Sequence, residues 1–207
     1  MLKVGLTGSI AVGKSFVLST LAELGAHVLD ADATARACAA PGTPGYSAVV
    51  EAFGKEILAA DGSIDRAKLG TIVFADEAKR LHLNSILHPY IIAGQDEQLG
   101  EWEKEDPEGI GVIDAALMIE SGTYRRFDCL VVVHCRPEVQ LERLMARDGL
   151  SREDAERRIA AQMSQEEKKK HADYLIDTSD GIEGARKYTE AVFQQLEAEL
   201  HDKRKRL

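Results

Sequence analysis

The run Gly8-Ser-Ile-Ala-Val-Gly13-Lys14-Ser15 has the spacing G-x-x-x-x-G-K-S/T. That spacing suits the binding of a polyphosphate. Glycines let the backbone curl until successive N–H groups point inward at phosphate oxygens. A helix starting at the end of the loop adds the partial positive charge of its N-terminus. The lysine reaches the β- and γ-phosphates of a nucleotide, and the serine hydroxyl is placed to ligate Mg²⁺. Candidate nucleotide contacts are therefore Gly8, Ala11, Val12, Gly13, Lys14, Ser15 and Phe16, with Ser15 also a candidate metal ligand.

Other residues could act on the bound phosphate. Asp30-Ala31-Asp32 closes an apolar run. Ligands of open α/β sheets sit beyond the carboxyl ends of the strands, and alternate strand residues share a face, so both aspartates are expected at one pocket. Phosphoryl transfer to an alcohol needs a carboxylate that orients the hydroxyl and accepts its proton. The competing reading is a strand-end turn in which Asp32 caps the next helix. Asp114 ends the run Gly111-Val-Ile-Asp114, where an acid either holds Mg²⁺ or simply closes a strand. Arg143 and Arg147 are four apart and face one side of a helix. Between Arg143 and Gln162 there are five arginines and no lysine, which reads as a lid closing over phosphates. Interleaved Asp148, Glu153, Asp154 and Glu156 leave a solvated charged face as the alternative. His88 precedes Pro89, which should kink or end its helix; His88 then either faces a substrate pocket or is an ordinary satisfied core or surface histidine, the commoner outcome.

The elements that must position these residues follow from the apolar pattern. Strands are expected at 3–7, 27–30, 111–115, 129–134 and 174–177, mostly as continuous apolar runs, which suit a parallel sheet buried on both faces. Helices are expected at 14–24, 76–105, 137–147, 151–162 and 182–203, with Ser151 and Asp154 forming an N-cap and acidic first turn. The fold class is α/β: a phosphate-loop parallel sheet flanked by helices. No convincing strand lies between Cys38 and Trp102, so that stretch reads as a helical insertion, with a turn at Asp61-Gly62. A length of 207 residues fits one core with an insertion.

These residues together resemble the dephospho-coenzyme A kinase family. The resemblance begins at Val4-Gly-Leu-Thr-Gly-Ser-Ile-Ala-Val-Gly-Lys-Ser15 and continues through Val28-Leu-Asp-Ala-Asp32, Ala35-Arg36, Pro41-Gly42, Asp61-Gly62, Asp65 and Leu69. It goes on through Leu87-His88-Pro89, Asp114 to Glu120, Arg143-Leu, Arg147-Asp148, Gln162 and Ala172 to Asp177. It implies phosphorylation of the ribose 3′-hydroxyl of dephospho-coenzyme A by ATP with Mg²⁺. It implies a core (1–38, 106–140, 170–207), an acceptor insertion (about 39–105) and a lid (about 141–169). Asp32 then corresponds to the base, Arg36, His88 and Glu120 to acceptor-side residues, and Lys14 and Arg147 to catalytic cations. Arg143 lies on the nucleotide side, and Ser15 and Asp114 at the metal. Ser9, Ala11 and Val12 stand where the family's loop usually has Gly, Gly and Ser, so Val12 is expected to remove a small polar residue near the phosphates. Phe16 replaces a second hydroxyl, Ala116 a proline, and Thr178 stands where asparagine is common.

Two alternatives remain at this stage: another phosphate-loop kinase for a nucleoside or small metabolite, and a nucleotide-binding module without catalysis. A GTPase is excluded, because the only asparagine, Asn84, is followed by Ser85 and cannot form N-K-x-D. The net charge of −9 argues against a duplex nucleic-acid binder. Ten acids against three bases between Gly94 and Asp128 account for most of it, while residues 1 to 40 are neutral. No apolar run is long enough for a membrane span, and no N-terminal secretory leader is evident. Cys38, Cys129 and Cys135 form no C-x-x-C pair, and the expected address is cytoplasmic. The Lys203-Arg-Lys-Arg206 tail is expected to complement a helix C-terminus.

Overall fold

The computed structural model describes residues 1–205; Arg206 of the basic tail lies outside them. Five strands, β1 (Leu2–Gly8), β2 (His27–Asp30), β3 (Ile110–Asp114), β4 (Cys129–His134) and β5 (Tyr174–Asp177), form one sheet in the order β2-β3-β1-β4-β5. β1 runs parallel to β3 and β4, and β4 parallel to β5. The described helices are α1 (Lys14–Glu23), α2 (Ala31–Cys38), α3 (Pro44–Phe53), α4 (Arg66–Ala75), α5 (Glu77–Glu105), α6 (Pro137–Asp148), α7 (Arg152–Ala160), α8 (Gln165–Lys169) and α9 (Gly181–Lys205).

The chain divides into two compact units, Leu29–Gly100 and the remainder. In the larger unit Leu2, Val4 and Leu6 of β1, Val112 of β3, and Val131 and Val133 of β4 are essentially buried, as continuous apolar strands of a parallel sheet must be. Val17 and Leu21 of α1 and Val192, Phe193 and Leu196 of α9 join the same core. Leu141, Leu144 and Ala155 of α6 and α7 form a smaller cluster with Ile10 and Ala11. Ser151 caps α7 by accepting the Asp154 N–H. The expected helix over 151–162 stops at Ala160, and Ser164 then caps α8, an element the sequence reading did not separate.

The smaller unit is helical, with a core of Val49, Ile57, Leu69 and Val73. Thr43 caps α3, with Pro44 at its first position, and Asp65 caps α4. The Tyr46 hydroxyl donates to Gly62 O at 2.6 Å, tying α3 to the Asp61-Gly62 turn. This unit begins before the expected insertion and takes in α2, because Cys38 O accepts from Thr43 Oγ1 at 2.6 Å and Cys38 Sγ reaches Tyr90 O at 3.5 Å. Pro89 does not end its helix: α5 runs through it for 29 residues. Proline lacks the N–H that would bond the carbonyl four residues back, and the residue there, Ser85, is exposed.

Candidate active site

β1 delivers the phosphate loop. A Cβ on Gly8 would lie 2.6 Å from Val133 O, so only glycine lets the chain leave the sheet at this point. Gly13, at φ +86°, caps α1, and its carbonyl accepts the N–H groups of Phe16 (3.1 Å) and Val17 (3.3 Å). Ala11 is at φ +60°, the one described non-glycine residue with positive φ. Register places Leu6 of β1 beside Asp114 of β3. The Lys14 ammonium reaches across to both Asp114 oxygens, at 2.7 and 2.9 Å. The side chains are 19% and 7% exposed, so this charge pair is largely withdrawn from solvent.

The Val12 side chain packs into the core. It is wholly buried, so the position offers only backbone to a ligand, and the missing serine is absorbed by packing. The Phe16 ring lies under the Arg186 guanidinium, which pairs with Glu23 at 2.8 Å. The Ser15 side chain is exposed at the start of α1. Its hydroxyl and the Asp114 carboxylate are hard oxygen donors of the kind Mg²⁺ takes. Among the described residues no group of three or more His, Cys, Asp or Glu could hold a metal alone, so phosphate oxygens and water would complete the shell.

Arg143 donates to Thr178 Oγ1 (2.9 Å) and Thr178 O (2.6 Å), and Thr178 Oγ1 donates to Val12 O (2.7 Å). Thr178, standing where asparagine is common, thus joins the phosphate loop to Arg143. Arg147, also on α6, is exposed and pairs with Asp148, whose carboxylate raises the arginine's pKa. Asp148 also binds Arg158 at 2.9 Å. Both Glu120 oxygens are taken by Lys168 of α8, at 2.8 and 2.9 Å.

In the smaller unit the two aspartates part. β2 ends at Asp30, which caps α2 by accepting the Asp32 N–H at 2.8 Å and lies 3.6 Å from Arg36. Asp32 is therefore a helix residue in the first turn of α2, not a strand residue sharing a face with Asp30 and not the cap. Its helical phase, four residues before Arg36, brings both to an open cavity of about 620 Å³ that also has Ser63, Arg66 and Leu87 in its wall. His88 is exposed on α5.

The family model for dephospho-CoA kinase (CoaE) matches residues 2–184. The chain belongs to this family. A dephospho-CoA kinase of Streptomyces avermitilis is 43% identical over 97% of this chain and 97% of its own. One of Carboxydothermus hydrogenoformans is 46% identical over 93% of each. The solved dephospho-CoA kinase of Campylobacter jejuni is 29% identical, with a TM-score of 0.64 over 94% of this chain and 96% of that one. Sequence reasoning about this family member missed Lys168, hidden in the run Lys168-Lys-Lys170, and the glutamines Gln140 and Gln165. Helical spacing alone does not distinguish a buried lysine from its exposed neighbours.

Proposed function

We propose that this chain transfers the γ-phosphoryl group of ATP to the ribose 3′-hydroxyl of dephospho-coenzyme A, giving coenzyme A and ADP. The observation that carries the reading is a phosphate loop with its lysine on Asp114, inside a family match that spans nearly the whole chain. In this reading the loop amides around Gly13 cradle the phosphates, and Lys14 neutralises the β- and γ-oxygens. Ser15 and Asp114 would hold Mg²⁺, which when bound supplies further neutralisation of the phosphate oxygens. Arg143 serves the nucleotide, and Arg147, released from Asp148, closes over the transferring group. Asp32 orients the 3′-hydroxyl and accepts its proton, while Arg36 and His88 serve the acceptor side. The O3′–P bond forms, the bond from Pγ to the bridging oxygen breaks, and ADP leaves. We assign the reaction to the cytoplasm, a placement supported by three free cysteines. Among the described residues no helix is long and apolar enough to cross a membrane.

The test is ADP release measured with ATP, Mg²⁺ and a panel of alcohols: dephospho-coenzyme A, adenosine, shikimate and gluconate. Release dependent on dephospho-coenzyme A is expected. Release with another acceptor, and none with dephospho-coenzyme A, would overturn the assignment.

A further inference from the structure

Lys168 on α8 is 1% exposed. A buried cation is costly unless every proton finds an acceptor. Here all three do: Ala116 O at 2.8 Å and the Glu120 oxygens at 2.8 and 2.9 Å. The segment it grips is the turn that follows Asp114.

Six residues earlier, the same stretch of chain grips the phosphate loop. Gln162 Oε1 accepts the Ile10 N–H at 2.8 Å, and Ser9 Oγ donates to Met163 O at 3.3 Å. In the following peptide group, Gln140 Nε2 donates to Ile10 O at 2.8 Å. Gln140 is itself held by Gln165 Nε2 at 2.7 Å, and Gln165 Oε1 accepts the Cys135 N–H at 2.9 Å. Ile10 therefore has both backbone groups fixed by side-chain amides, in a loop whose remaining N–H groups must stay turned inward for phosphate.

We propose that Gln162 and Lys168 are positioning residues. From one short strap they fix the phosphate loop at Ile10 and the Ala116–Glu120 turn behind Asp114. They thereby set where the Lys14 ammonium and the Asp114 carboxylate meet a bound nucleotide. Both contacts fasten the strap to the sheet unit. The inference rests on the proposed kinase reading for its turnover readout, but not for its binding readout.

The experiment compares Gln162→Ala, Gln140→Ala, Lys168→Met and the control Lys170→Ala, an exposed lysine paired with Glu167. ATP affinity is measured calorimetrically without acceptor, then kcat, acceptor KM and the thermal midpoint. Gln162→Ala is expected to weaken ATP binding and lower kcat by about tenfold each, with acceptor KM within about twofold of wild type. Lys168→Met is expected to lower kcat more than it weakens ATP, and Lys170→Ala to match wild type. If Lys168→Met fails to fold, the two glutamine variants decide. Wild-type ATP affinity and kcat in Gln162→Ala and Gln140→Ala, with only a lowered thermal midpoint, would reduce the strap to a structural tie and overturn the proposal. A wild type that binds ATP but ignores dephospho-coenzyme A overturns the kinase reading instead, and the ATP affinities still test the strap.

Discussion

Replacing Lys14 by methionine should damage the protein in two separable ways. Lys14 Nζ lies 2.7 Å from Asp114 Oδ1, and the carboxylate side chain is 7% exposed. At that distance and an effective dielectric of about 20, the attraction is about 6 kcal/mol before desolvation is counted. Desolvation of two charges offsets much of it, leaving a coupling of about 2–3 kcal/mol. A double-mutant cycle of Lys14→Met, Asp114→Asn and the pair, read by urea unfolding of the ligand-free protein, measures this coupling directly. In the presence of ATP the same lysine must leave Asp114 for the phosphates. Lys14→Met should then lose about a thousandfold in kcat, equivalent to about 4 kcal/mol of transition-state stabilisation. Asp114→Asn should bind metal-free ATP more tightly than wild type, because a competing anion is gone, while its Mg²⁺-dependent turnover falls. Single-variant costs that add to within about 0.5 kcal/mol, together with turnover within threefold of wild type for Lys14→Met, would refute the reasoning.

Ala11 sits at φ +60°, where an L-side chain costs about 1–2 kcal/mol. Ala11→Gly should raise the unfolding free energy by about 0.5–1 kcal/mol without lowering turnover, and a lower urea midpoint would show that the strain is not real. Burial pushes the Cys129 thiol up to about 12, and Cys135 is raised by burial as well. At pH 8 a thiol reagent should label Cys38 alone in the native protein, slowly because burial raises its thiol too, and all three cysteines in urea. Prompt native labelling of Cys129 would contradict the packed β4. Burial, aided by nearby Lys169, lowers the pKa of His134 below the ordinary histidine value. The unfolded chain then binds this proton more readily than the folded one, so stability should fall as pH drops below about 6.5. Urea midpoints at pH 7.5 and 5.5 in wild type and His134→Gln measure it; an equal drop in both would remove His134 as a contributor.

The strands were legible because a parallel sheet buried on both faces leaves unbroken apolar runs; the expected and observed limits of β2, β4 and β5 coincide. The phosphate loop was legible because its chemistry fixes both residue type and spacing. Less could be read where tertiary packing decides. Val12 occupies a loop position whose direction into the core depends on neighbouring strands. Asp30 and Asp32 look alike in sequence, and which one caps α2 depends on where β2 stops. Pro89 carries a local signal to stop a helix, yet α5 runs through it with Ser85, the residue four back, exposed. Lys168 is one lysine of three in a row, and only the fold shows that it alone is enclosed, with Glu120 as its partner.

The most direct measurement is product analysis after incubating the protein with ATP, Mg²⁺ and dephospho-coenzyme A. We expect one ADP per coenzyme A formed, with the new phosphate on the ribose 3′-oxygen, and a loss of about a hundredfold or more in Asp32→Asn. ADP formed without coenzyme A, phosphate on another oxygen, or an unchanged rate in Asp32→Asn would contradict the proposed reaction or the base assigned to it.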